Sequence, residues 1–396
     1  MGGGSDVDRR TFQGLSMPCA FLNEDALERN IQSIIQLHKG KRIRIASKSL
    51  RSVSVMKKIL QSHSCFQGIM CYSPAEVLFL IEQGFDDLLL GYPVWDEEAL
   101  KKISILTKQG YKITCMVDCE EHILYLEHIA LQVEGTFRIC FDIDMSSRFL
   151  GFHFGVKRSP LRIAEQVLQV ANRVLQSSCL KIDGVMGYEA QIAGVGDHVP
   201  KQTLQNKVVS YLKRRSVREV TKRRGFIVQA LEQKGISLRF VNGGGTGSIK
   251  TTVQDESVTE ITVGSAFYSP VLFDYYKDIA FEPAVGFVLP IVRQPEPHVY
   301  TCLGGGYIAS GMTGKDKQPQ PYMPNGAKLL PLEGAGEVQT PVYYEGTEQL
   351  RIGEGIVFRH SKAGELCERF SSLYRISDGE VVGEYQTYRG DGQCFL

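Results

Sequence analysis

The 396-residue sequence predicts an α/β protein, a (β/α)8 TIM-type barrel followed by a smaller, mostly β C-terminal domain. Three observations lead there. Between Arg42 and Val263, short runs rich in β-branched residues alternate with helical patterns, the signature of repeated βα units around a parallel sheet. After Tyr276 the helical periodicity fades, and short strand-like runs are separated by Gly and Pro. A glycine-rich turn, Asn242 to Ser248, follows the seventh of the alternating runs.

The candidate barrel strands are Ile43–Ser47, Gln67–Met70, Leu88–Leu90, Lys112–Val117, Phe137–Ile143, Lys181–Met186, Leu238–Asn242 and Glu260–Val263. Eight βα units in about 230 residues match such a barrel, whose reactive groups come from the C-terminal strand ends and the loops that follow. The later runs are Ala284–Arg293, His298–Cys302, Glu337–Val342, Gly355–Phe358, Leu373–Ile376 and Glu380–Gln386. The expected division is a polar N-terminal lead over 1–16, a barrel domain over 17–276 and a β-rich domain over 277–396. The stretch Met312–Lys328, punctuated by Pro and Gly, reads as a long loop, either a surface excursion or part of a site.

Composition narrows the function classes. Forty-five basic residues against 44 acidic ones leave no net field to recruit nucleic acid or an anionic membrane, so a small-molecule partner is expected. No stretch approaches twenty apolar residues, and Met1 to Asp6 lacks a basic segment followed by an apolar one. The expectation is a soluble, cytoplasmic protein. Ten cysteines scattered through candidate strands and helices read as reduced thiols. The pairs Cys65 with Cys71 and Cys115 with Cys119 lack a second pair at zinc-ribbon spacing and are read as small buried hydrophobes. The basic run from Lys213 to Arg224 is read as the solvated face of an outer helix.

Two segments carry chemistry. Arg44-Ile45-Ala46-Ser47-Lys48 is an apolar strand that delivers a lysine to its C-terminal tip. Desolvation and neighbouring cations make such an amine nucleophilic, as Schiff-base formation requires, although a plain surface lysine at a strand end fits the segment equally. In Asn242-Gly243-Gly244-Gly245-Thr246-Gly247-Ser248, successive glycines free backbone N–H groups to surround an anion, and the hydroxyls can join them. The order is not that of a nucleoside-triphosphate loop, and its position matches the phosphate site that barrels build after strands seven and eight. Gly264-Ser265, after the eighth strand, can donate to the same phosphate. A lysine after strand one and a phosphate cradle after strand seven together outline pyridoxal 5'-phosphate.

These residues resemble the fold-type III pyridoxal-phosphate enzymes, with the alanine racemase N-terminal-type barrel, and within them the D-threonine aldolase and D-serine dehydratase group. The resemblance covers nearly the whole chain. Pro18 to Asn23 with Leu27 and Asn30 is similar to the family's entry segment, and Arg44 to Arg51 to its lysine segment. It implies that Lys48 holds the cofactor and that Gly244, Gly245, Thr246, Gly247, Gly264 and Ser265 bind its phosphate. Asp142-Ile143-Asp144 with Arg148 and Gly151 resembles a stretch whose arginine approaches the phenolic oxygen, which implies Arg148. Val185 to Glu189 resembles the sixth strand, which places Tyr188 beside the ring. Ala46 stands where the group often has histidine.

Relatives in this group hold a divalent metal with a histidine and a cysteine or aspartate, spaced H-x-C or H-x-D. Here that compact pair is missing, and six residues separate His360 from Cys367. The pair is chemically adequate for zinc, or for manganese if Glu365 or water replaces the sulfur. The resemblance implies a lyase that cleaves D-β-hydroxy-α-amino acids by retro-aldol reaction to glycine and an aldehyde, and a homodimer. Alternatives are a metal-dependent D-serine dehydratase, an amino acid racemase using Tyr307 or Tyr322, and a non-catalytic pyridoxal-phosphate carrier.

Overall fold

A computed structural model describes residues 7–149, 151–312 and 314–395; the first six residues of the expected polar lead lie outside them, as does Thr313 of the expected loop. The chain forms two compact units. One comprises the chain through Ile34, Lys48–Lys57 and Ser265–Cys394, the other mainly Ile35–Ser47 and Lys58–Gly264.

The second of these contains the barrel. Its eight strands are Arg42–Ala46, Phe66–Cys71, Leu88–Leu90, Ile113–Val117, Phe137–Asp142, Leu180–Gly187, Phe240–Gly243 and Glu260–Val263, each overlapping an expected run. All pair in parallel, in chain order, and the eighth closes on the first with Arg44 beside Thr262 and Ile45 beside Val263. Alternation along the strands sends one set of side chains inward, where Leu89, Met116, Cys140, Met186 and Phe240 make a buried apolar layer with Met70 against it. Below it lies a charged layer. Arg44, fully buried, donates to both Glu260 oxygens at 2.7 and 3.0 Å and to the Asp87 carboxylate at 3.0 Å, while Arg239 joins Asp87 to Asp183. Loss of one partner would leave a buried charge uncompensated, at a cost of about 3–5 kcal/mol.

The other unit holds a sheet with nine strands among the described residues. All six late runs appear in it as Val285–Glu296, Val299–Leu303, Gln339–Tyr343, Gly355–Arg359, Ser372–Ser377 and Glu380–Gln386. The structure differs from the expected 17–276 segment at its start. Cys19–Asn23 is a central strand of this sheet, antiparallel to Val285–Glu296 and parallel to Ser372–Ser377. The physical reason is that eight strands closed on themselves leave no edge for a ninth, whereas the open sheet offers two. Phe21 packs there with Val7, Phe12, Val288 and Val357, and each such side chain contributes about 1.5–3 kcal/mol by leaving water. The expected loop Met312–Lys328 also contains a strand, Gln320–Met323, paired on one side with Gly355–Arg359. Pro321 hides it in sequence, since proline reads as a breaker but is tolerated at a sheet edge.

The basic run lies on the 31-residue helix Thr203–Gln233, and only part of it is solvated. Arg214, Arg215 and Lys222 are exposed, but Lys213 pairs with Asp197, Arg223 donates to the Asp144 and Ser146 carbonyls, and Arg224 is buried. Among the described residues no helix is long and apolar enough to cross a membrane, and all ten cysteines are free thiols.

Candidate active site

The C-terminal strand ends of the barrel carry a set of polar side chains. Tyr188 follows the sixth strand, and its ring lies against Gly245, where an added Cβ would stand 3.2 Å from the ring and 3.1 Å from Ala193. A side chain there would have to press both neighbours back by a few tenths of an ångström, so the contact is tight. Burial pushes the Tyr188 hydroxyl up to about 12, so it is a neutral donor at physiological pH. The Arg158 guanidinium stands over the Tyr188 ring at 5.8 Å and over the Tyr92 ring at 5.8 Å. Asp142, last residue of the fifth strand, has its carboxyl pushed up to about 7, chiefly by burial and then by Asp118, with Arg158 opposing.

The glycine turn after the seventh strand is tied down by an acid that the sequence did not single out. Glu189 is buried and accepts from the Gly244 N–H at 3.0 Å and from the Thr252 hydroxyl at 2.5 Å. Arg224, from the long helix, donates to Glu189 at 3.0 Å and to the Gly187 carbonyl at 2.9 Å, and pairs with Asp255. The Gly245 N–H turns to the Ser248 hydroxyl at 3.1 Å. Two of the amides expected to face an anion are thus engaged within the protein. Gly244, at φ +77, makes the turn in a conformation that L side chains rarely adopt. Thr246 and Gly247 follow in a 3-10 segment, Thr246–Ser248.

Lys48 sits in the 3-10 turn Ser47–Ser49, directly after Ala46 ends the first strand, and is exposed. Its carbonyl accepts from Arg51 Nε at 3.1 Å, and Arg51 Nη1 reaches Glu368 at 2.5 Å. Gly364, at φ +81, abuts the Lys48 carbonyl, so that any Cβ there would overlap it. Ser265 approaches Ser49 hydroxyl to hydroxyl at 3.5 Å, next to Lys48 in the chain. Lys48 and the segment His360–Glu368 are thereby held together within one unit.

His360 is buried, its ring nitrogens approach only the Val285 backbone without a well-formed hydrogen bond, and it lines a 320 Å³ cavity with Tyr307, Lys362, Glu365, Arg369 and Arg389. Desolvation, reinforced by Arg359, lowers its pKa to about 3, so the imidazole is neutral. Cys367 is buried too, and burial pushes its thiol up to about 12, but it does not line this cavity. Glu365 accepts from the Ser310 N–H at 2.8 Å and the Ser310 hydroxyl at 2.5 Å, with Lys362 at 3.4 Å. Lys362 stands two residues after His360, at the spacing where the expected pair would have its second ligand. A divalent ion needs converging donors, and here the lining beside His360 carries the ammonium of Lys362 and the guanidinium groups of the exposed Arg369 and Arg389. The residues that share the cavity with His360 do not fit a metal held jointly with Cys367, which lies outside its lining. Two other triads, His38 with His63 and Cys65, and Asp118 with Cys119 and His122, bring ligand-type atoms within 4.8 Å among the described residues, and neither includes His360 or Cys367.

Arg148 is exposed on the hairpin Ser147–Phe149 with Phe152–Phe154, opposite His153. Arg158, ten residues on, is the arginine beside Tyr188. The sequence motif pointed to Arg148 alone, and Arg158 was missed.

The fold and these residues define a fold-type III pyridoxal-phosphate enzyme. The model of the alanine racemase N-terminal domain matches residues 22–270, and the chain belongs to that family. A 3-hydroxy-D-aspartate aldolase of Paracoccus denitrificans (strain Pd 1222) is 26% identical over 296 residues, which cover 72% of this chain and 70% of that protein. Among solved structures, D-threonine aldolase from Filomicrobium marinum superposes with a TM-score of 0.79 at 18% identity, covering 95% of this chain and 96% of that one. D-threo-3-hydroxyaspartate dehydratase from Delftia sp. HT23 gives 0.72 at 17% identity, covering 95% and 98%.

Proposed function

We propose that this pyridoxal-phosphate-dependent lyase cleaves the Cα–Cβ bond of D-configured β-hydroxy-α-amino acids, yielding glycine and an aldehyde. Lys48 would hold the cofactor, the Gly244–Gly247 turn with Gly264 and Ser265 would bind its phosphate, and Tyr188 and Arg158 would stand near its ring. Arg148 is left without a part in this reading. Bound pyridoxal phosphate supplies the sink for the electron pair that remains at Cα. The observation that carries the reading is His360, a buried neutral imidazole with no side-chain partner, in a cavity wall of the unit that carries Lys48. It accepts the β-hydroxyl proton as the Cβ–O bond becomes a carbonyl, the bond to Cβ breaks, and Cα then takes up a proton to give glycine. The relatives named as aldolases support it. A second reading is dehydration, favoured by Lys362, whose ammonium lines the same cavity and can protonate a departing hydroxide while the Lys48 amine removes the Cα proton.

The deciding assay incubates the holoenzyme with D-threonine, L-threonine, D-serine, D-threo-3-hydroxyaspartate and D-alanine, with and without chelator. Glycine with an aldehyde supports the aldolase; a 2-oxo acid with ammonia replaces it by the dehydratase; inverted alanine replaces both by a racemase. The rate should not fall with chelator. Lys48→Ala should abolish the visible absorbance of the bound cofactor, and retention of that absorbance would remove Lys48 from its role.

A further inference from the structure

The 320 Å³ cavity beside the Lys48 turn is unusual in its charge. Three cations line it, Lys362, Arg369 and Arg389, with two carboxylates, Glu365 and Glu368. Both carboxylates already have partners, Glu368 outside the lining and Glu365 partly within it. Glu368 holds Arg51 at 2.5 Å, and Glu365 holds Ser310 and Lys362. Lys362 in turn donates to the Ser310 hydroxyl at 2.7 Å. The guanidinium groups of Arg369 and Arg389 make no hydrogen bond or ion pair with any described residue. The cavity therefore presents two uncommitted planar donors beside a neutral imidazole. A fork of N–H groups matches a carboxylate bidentately, and the aromatic ring of Tyr307 forms an adjacent wall.

We propose that this cavity is a carboxylate subsite, in which Arg369 and Arg389 bind the side-chain carboxylate of an acidic β-hydroxy amino acid while His360 faces its β-hydroxyl. The substrate class is thus a β-hydroxy dicarboxylic amino acid. A cation of the protein stands at the spacing where relatives' metal pairs place a ligand, and it does so through Lys362. The proposal rests on the reading of Lys48 as the cofactor lysine. It gives the two arginines distinct work: they orient the substrate's distal end and leave the bond cleavage to the groups at Cα and Cβ. A neutral substrate such as D-threonine offers them no charge to bind.

Two measurements test it separately from the lyase reading. First, succinate, a dicarboxylate without an amino group, is titrated calorimetrically into the holoenzyme. Binding that weakens at least about tenfold in Arg369→Gln and in Arg389→Gln supports the subsite even if no lyase activity is found. No binding, or binding indifferent to both substitutions, overturns it. Second, kcat/KM is compared for D-threo-3-hydroxyaspartate and D-threonine. The ratio of acidic to neutral substrate should exceed about ten and fall at least tenfold in each arginine variant, mainly through KM. A ratio that does not change would overturn the proposal while leaving the lyase reading intact. Absence of product from every β-hydroxy amino acid would overturn the lyase reading and leave the succinate titration to decide the subsite.

Discussion

Gly364 lies against the backbone carbonyl of Lys48, in a left-handed conformation at φ +81 that leaves no room for a side chain. The contact couples the lysine turn to the segment that carries His360 and Lys362. Arg51 reinforces it by bonding both the Lys48 carbonyl and the Glu368 carboxylate.

Gly364→Ala should therefore act on the lysine rather than on the fold at large. The left-handed backbone alone costs about 1–3 kcal/mol for a non-glycine residue, and the methyl group must displace the Lys48 carbonyl as well. Expected is a fall in kcat of at least about tenfold with reduced visible absorbance from bound cofactor, whereas Gly353→Ala, at φ +93 with nothing within 4 Å, leaves both nearly unchanged. Equal effects of the two would mean that only backbone strain matters.

Arg158 stands over Tyr188, and Arg148 is on an exposed hairpin. Arg158→Leu should weaken cofactor binding and shift its absorbance, and Arg148→Leu should do neither. Dialysis followed by fluorescence of the retained cofactor distinguishes them, and the reverse result would restore Arg148 to its expected place.

Glu189 and Arg224 hold the glycine turn from behind. Glu189→Ala would leave Arg224 paired with Asp255 but would deprive the Gly244 N–H and the Thr252 hydroxyl of their acceptor, a loss of about 1–3 kcal/mol. Glu189→Gln keeps a hydrogen-bond acceptor and should recover part of that. In both, apparent cofactor affinity should fall by more than the change in global stability explains, as read from thermal melts at several cofactor concentrations.

Asp142 makes stability depend on pH. Burial, with Asp118 nearby, raises its carboxyl from 3.8 to about 7, so between those values the folded protein retains a proton that the unfolded chain has released. Its contribution is full below pH 3.8 and is lost as pH rises through about 7, amounting to roughly 2–4 kcal/mol. Asp142→Asn should flatten this slope and be more stable than the parent at pH 8. Chemical denaturation from pH 5 to 8 measures it, and parallel curves would show that the carboxyl is ionised throughout.

Much of the architecture was legible because it rests on short-range rules. Short β-branched runs alternating with helical patterns marked the eight barrel strands, strand-like runs between Gly and Pro marked six of the sheet strands, and the run of glycines marked the turn at Gly244. Pro321 concealed an edge strand, and nothing within Cys19–Asn23 says which sheet will pair with it, since five buried residues suit either. Around the site, Tyr188 was found through its neighbours in sequence, yet the adjoining Glu189 was passed over although an acid at a strand end is itself a signal. Lys362 was equally visible, two residues beyond His360, but its meaning required knowing that Cys367 lines no part of the cavity.

The amino-acid sequence by itself determined the order of βα units, the placing of Lys48 after the first strand and the glycine turn after the seventh. These follow from backbone preferences and hydrophobic periodicity acting over a few residues. Only the tertiary structure decided which charges meet: Arg224 with Glu189, 35 residues away, and Arg51 with Glu368, 317 residues away. Charge pairing depends on distance through space. The residues around Lys48 acquired their chemistry when the chain brought Gly364 against its carbonyl and left Arg369 and Arg389 facing one cavity.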